Sequence, residues 1–135
     1  MKLIAAAKLP VPGGHYSHGA LAGNLLFISG QLPFPPDAQE FPEGIEAQTR
    51  QAMANMETVL QAAGASLNHL VSVQIYIVDV AYWPTVNLVY STLMGAHRPA
   101  RVMIPCSPLH YGALVEISAV AELTVGSSLQ TRCGD

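Results

Sequence analysis

From Leu114 to Leu123 the chain alternates, with Val115, Ile117, Ala119, Ala121 and Leu123 all apolar and the residues between them more polar. Successive side chains of a strand point to opposite faces, so this run reads as a long strand with one wholly apolar face. Such a face requires a cover, and two segments offer one. From Gly44 to Ala63, the residues Ile45, Thr49, Ala52, Met53, Met56, Val59, Leu60 and Ala63 recur at helical spacing. Gln48, Gln51, Asn55 and Gln61 fall elsewhere on the wheel, and Gly64 stands where a helix stops. The Met pair reads as core filler. A second helix is expected from Pro84 through Met94, with Val86, Val89, Tyr90 and Leu93 as its buried stripe and Asp79 capping the turn before it.

Three further segments read as strands. Leu70 to Val78 places Val71, Val73, Ile75 and Ile77 on one face and Ser72, Gln74, Tyr76 and Val78 on the other. Leu25 to Ser29 is a short apolar run ending at Gly30. Arg101 to Ile104 is broken by Pro105 and Pro108, while Pro33, Pro35 and Pro36 mark a loop. The order is strand, helix, strand, helix, strand, strand. It implies one α+β domain over residues 1–125, a mixed sheet with two helices on one face, and a frayed tail at residues 126–135.

Two helices leave the second sheet face uncovered, with Tyr76, Val78, Ser118 and Val120 on it. Here composition matters: only 11% of the residues are charged, against about 25% in an average soluble protein. A charge-poor chain with a semi-polar open face is expected to self-associate. Its six Lys and Arg are outnumbered by nine Asp and Glu, for a net charge of −3. Lys2, Lys8, Arg50, Arg98, Arg101 and Arg132 are scattered, so no basic patch speaks for nucleic acid. Cys106 and Cys133 lie far apart and form no metal-type pair. The start MKLIAAAKLP mimics a leader, but its apolar stretch ends at Lys8, short of the roughly 7–15 residues a signal needs. Uncharged stretches such as Thr58 to Val78 contain Gln61, Asn68, His69 and Gln74, so no membrane span is expected. A cytoplasmic location is the default expectation.

Few residues suit chemistry. Arg101 opens an apolar strand, where its guanidinium needs a carboxylate or phosphate to satisfy its donors. It reads either as a ligand clamp or as a strand-end Arg bonded to water or an internal acid. Glu116 interrupts the apolar run Leu114-Val115-Glu116-Ile117, opposite the core face. It is either a general base whose pKa responds to burial and to a nearby Arg, or an internal or solvated structural acid. In the Gly13–Gly19 loop, GGHYSHG, Tyr16 either donates to a ligand or anchors the loop. His15 and His18 lack a third ligand at sensible spacing, so no metal is expected. His69, His97 and His110 read as ordinary surface or turn residues. Neither a nucleophile elbow nor a phosphate-binding glycine motif is present, and no cofactor is expected.

Several segments together resemble the Rid family (reactive intermediate deaminase, or YjgF, family). They are Gly14-His15-Tyr16-Ser17-His18-Gly19, Phe27-Ile28-Ser29-Gly30-Gln31-Leu32-Pro33, Val86-Asn87 with Tyr90, Arg98-Pro99-Ala100-Arg101, and Leu114-Val115-Glu116-Ile117. The resemblance runs from about Gly14 to Leu123. It implies a chorismate-mutase-like α+β fold assembled as a barrel-like homotrimer with clefts between subunits. It also implies cofactor-free hydrolysis of enamine and imine acids such as 2-aminoacrylate and 2-iminopropanoate. By position, Arg101 matches the arginine that grips the substrate carboxylate and Glu116 the acid beside the attacking water. Tyr16 matches the cleft tyrosine, and Gly30 and Asn87 match cleft positions. Met103 stands where the family often has Cys, with Cys106 three residues on. His18 replaces a usual Gln, and His15 a frequent Pro. With Met103 and Cys106 lining the substrate's remaining part, and the bulky segment Ser107 to Tyr111 able to accept a different or larger molecule, a pathway-specific deaminase of 3-aminoacrylate or 2-aminomuconate is an alternative. So is a non-catalytic trimer that binds a small carboxylate.

Overall fold

The computed structural model describes residues 1–123, so the tail expected at residues 126–135 lies outside the described residues. In chain order the elements are β1 (Lys2–Ile4), β2 (Gly19–Ala22), β3 (Leu25–Gln31), α1 (Ile45–Ala62), β4 (Leu70–Ile77), α2 (Trp83–Met94), β5 (Ala100–Pro105) and β6 (Val115–Glu122). They form one sheet in the order β1-β2-β3-β6-β4-β5. Only the β4–β5 pair is parallel, reached through α2, and every other pair is antiparallel. None of the described helices is long and apolar enough to cross a membrane.

The alternation in β6 produces the core. Val115, Ile117, Ala119 and Ala121 are buried with Val73, Ile75 and Ile77 of β4 and Leu26 and Ile28 of β3. Both helices lie over that face, α1 through Met53, Met56, Val59 and Leu60, and α2 through Val86, Val89 and Tyr90. The start of α2 has Pro84 in its first turn, and the Asp79 carboxylate accepts from Ala81 N–H just before it. Helix α1 stops in a Schellman motif. Gly64, at φ +79°, donates to Gln61 O and Ala65 donates to Leu60 O.

Four expectations need correction. The strands β1 and β2 went unseen, because three and four residues are too few to show a period. Gln48 and Asn55 are buried rather than set away from the core. The amide of Gln48 donates to Pro42 O and accepts from Leu114 N–H. Asn55 donates to both Leu32 O and Phe34 O. Val71 is exposed, because the β4–β6 register slips between Leu70 and Ser72 and turns Leu70 inward instead. At the end of α2 it is Met94, not Leu93, that faces the core.

None of the described helices lies on the opposite sheet face. Phe27, Val102 and Ile104 are exposed there. Between them Ser118 Oγ donates to Gln74 Oε1, and Gln74 Nε2 donates to Ser72 Oγ.

Candidate active site

Pairing between β3 and β6 jumps from Ile28↔Ala119 to Gln31↔Ile117, so Ser29 and Gly30 together face the single residue Ser118. This bulge brings the backbone of Gly30 over the side chain of Glu116. A Cβ at Gly30 would collide with the Glu116 carboxylate, so only glycine allows the acid its position. On its other flank Glu116 pairs with Tyr76 of β4. The loop before β2 closes the site from above. Ser29 Oγ donates to Ser17 O at 2.6 Å, and Ser29 N–H donates to His18 O. The buried His18 ring accepts from Ala6 N–H at Nδ1 and donates from Nε2 to Pro10 O. These bonds hold Tyr16 at the rim of a cleft of about 840 Å³ that also contains Ser29, Gly30, Phe34, His110, Tyr111 and Glu116.

Burial pushes the Glu116 carboxyl above its ordinary range, and the nearby His110 pulls it partly back. No hydrogen bond to its oxygens comes from the described residues.

Arg101 is elsewhere. It pairs with Val73, so it shares the helix-covered face, whereas Glu116 projects from the open one. Its Nη1 donates to Asn87 Oδ1 at 2.9 Å, and its guanidinium carbon lies 4.9 Å from the Tyr90 ring centroid and 5.6 Å from that of Trp83. Cation–π attraction of this kind stiffens a guanidinium without using its outward donors. Among the described residues Arg101 forms no ion pair. Burial pushes the Tyr90 phenol up, Arg101 pulls it down, and its buried hydroxyl has no hydrogen-bond partner among the described residues.

The expected site residues therefore form two groups within one chain. Tyr16, Gly30 and Glu116 converge in the cleft, and Arg101 and Asn87 converge at the sheet's far edge. Met103 packs against the apolar core, and Cys106 N–H donates to Ile77 O. Neither lines the cleft around Glu116. Of the remaining cleft residues, Tyr111 ends the bulky segment Ser107 to Tyr111 expected to accept a larger molecule, whereas Phe34 and the role of His110 escaped sequence reasoning. His110, expected to be an ordinary turn residue, sits with Tyr111 in the 3₁₀ turn His110–Gly112, and Phe34 is brought in by the Asn55 amide. Their only sequence signal was bulk beside prolines. Among the described residues, no three of His, Cys, Asp or Glu come together as a metal site.

A mixed six-stranded sheet with two helices on one face, and an acid set under a strand bulge on the other, defines a YjgF-type α+β domain. Residues 6–123 match the family described as Endoribonuclease L-PSP, and the chain belongs to that family, the one also called Rid or YjgF. A RutC family protein of Pyrococcus horikoshii is 40% identical over 89% of this chain and 96% of its own. A bovine 2-iminobutanoate/2-iminopropanoate deaminase is 35% identical over 89% of this chain and 88% of its own. Among solved structures, Escherichia coli TdcF with bound serine superposes with a TM-score of 0.87 at 28% identity, covering 92% of this chain and all of that one.

Proposed function

We propose that this protein hydrolyses small 2-imino acids and their enamine tautomers to oxo acid and ammonia, at clefts shared between copies in a homotrimer. The observation that carries this reading is the division of the site. A half-buried carboxylate that accepts no hydrogen bond from the described residues opens on one sheet face. An aromatic-stiffened guanidinium with donors to spare lies on the other. Each lacks what the other has, and a second copy laid against the exposed Phe27, Val102 and Ile104 would bring them together. The relative named as a 2-iminobutanoate/2-iminopropanoate deaminase supports the same chemistry, and the solved relative with serine bound supports a site for a small amino acid.

The Arg101 guanidinium of one copy grips the substrate carboxylate, fixing the imine carbon beside Glu116 of the next. Glu116 takes a proton from water as the water oxygen bonds to that carbon. The proton passes to nitrogen, giving a tetrahedral amino alcohol; the hydroxyl proton then follows to nitrogen as the carbon–nitrogen bond breaks, the carbonyl forms and ammonia leaves. Tyr16 at the rim is placed to donate to the substrate.

The test is to make 2-iminopropanoate by oxidising alanine in situ and to trap it with semicarbazide. The protein should suppress adduct formation. Unchanged trapping with imines from several amino acids would overturn the reading. Arg101→Ala should lower kcat/KM by about 10- to 100-fold, the worth of one charge-assisted contact. Glu116→Gln should remove turnover yet leave binding of a small 2-oxo acid nearly intact. A non-catalytic carboxylate binder would have no turnover to lose. The family is described as an endoribonuclease, but none of the described residues lining the cleft is Lys or Arg, and the net charge is −3.

A further inference from the structure

One wall of the cleft is built of rings that the hydrolysis itself does not use. Phe34 packs against Phe41 with centroids 4.3 Å apart and meets Tyr111 edge-on at 5.4 Å. The His110 ring lies 3.6 Å from Tyr111. Phe34, His110 and Tyr111 line the same cleft as Glu116 and Gly30. Tyr111 holds its backbone at φ +60°, among the described residues the only non-glycine in the left-handed region. Aromatic L residues rarely adopt that conformation. The ring is not buried in return, being 66% exposed. Backbone strain that core packing does not explain, located at a cleft, points to a side chain kept for what it touches there.

We propose that Phe34, Tyr111 and His110 form the subsite for the substrate's side chain, and that this protein prefers 2-imino acids bearing an aromatic side chain. The inference rests on the deaminase reading and gives it a substrate class. An imine carbon has three substituents. The carboxylate goes to Arg101 and the nitrogen must stay open to a proton, so the third faces the ring wall. An aromatic substituent can pack edge-on or offset there, where a methyl would leave most of the rings unmatched. A cleft of about 840 Å³ is far larger than a three-carbon acid fills. A second carboxylate is disfavoured, because no Lys or Arg lines this wall among the described residues. The reaction consumes one water: oxygen bonds to the imine carbon, the carbon–nitrogen bond breaks, and nitrogen leaves as ammonia, with no change in oxidation state.

The experiment compares imines made in situ from alanine and from phenylalanine, using the full-length protein in its native assembly and semicarbazide trapping. The expected kcat/KM for the phenylalanine-derived imine exceeds that for the alanine-derived one by at least about tenfold, the scale set by a well-filled apolar pocket. Tyr111→Gly removes the ring while keeping a backbone at home at φ +60°, and should collapse that ratio to about twofold or less. Phe34→Ala should shift it the same way. A wild-type ratio near one, or a ratio that both variants leave intact, would overturn this proposal and leave the deaminase reading standing. Hydrolysis of neither imine would overturn both.

Discussion

His18 satisfies two backbone groups with one ring, accepting from Ala6 N–H and donating to Pro10 O. A Gln amide also offers an acceptor oxygen and donor N–H groups, so it could satisfy the same two backbone groups. His18→Gln should therefore stay near wild-type stability in urea. His18→Leu strands a buried N–H and should cost about 1–3 kcal/mol. Gly30 is tighter still. Gly30→Ala puts a methyl where the Glu116 carboxylate lies, so activity should fall at least about tenfold while the far-ultraviolet spectrum stays unchanged. The pH profile follows from Glu116. Burial raises its pKa, so the acid limb of kcat/KM should lie above the ordinary carboxylate range, and His110→Ala should move that limb higher. A downward move would contradict this. For stability the sign is opposite. A carboxyl raised in the folded state contributes stability that is complete below its unfolded pKa and is lost as pH rises through the folded one.

At the level of elements, α1 shows both what periodicity reveals and what it conceals. Its limits, its apolar stripe and its glycine stop are all written in local spacing. The partners of its polar residues are not. Gln48 meets Leu114 N–H, 66 residues away, and Asn55 meets Leu32 O and Phe34 O across 23 and 21 residues. On a helical wheel such amides look like a wet face, and only tertiary structure shows them buried and paired. Asn55→Ala frees two loop carbonyls at once and should destabilise the chain by about 1–3 kcal/mol. Because that loop carries Phe34, the variant should also lose part of any aromatic-imine preference. Denaturant unfolding and the two-substrate comparison would check both effects. The same limit hid β1 and β2, whose pairing with each other and with β3 has no counterpart in their own few residues. Arg101 and Glu116 were legible because each breaks an apolar run, but their placement on opposite sheet faces depends on register. His110 was legible only as part of a bulky segment beside prolines, since nothing near it in sequence marks it as a neighbour of Glu116.

For the whole molecule, the open sheet face and the divided site make one joint prediction. If each cleft takes Glu116 from one copy and Arg101 from the next, two crippled variants should repair one another. Arg101→Ala and Glu116→Gln, unfolded together and refolded as a mixture, should recover roughly a quarter of wild-type activity, because random mixing leaves that share of interfaces intact. No recovery, with mixed assembly demonstrated by mass spectrometry, would place the two groups in separate functions. The extra residue at Ser29–Gly30 has a wider consequence. Ile28 and Gln31 are both buried although an odd number of positions separates them, so the strand changes its reading frame at this point. Exchanging side chains here leaves the frame intact, whereas deleting one residue would turn inside out all that follows, as far as the next loop able to absorb the slip. Chain length at this point is as much a determinant of the fold as residue identity, and libraries built by shortening or lengthening β3 should fail where libraries built by substitution survive.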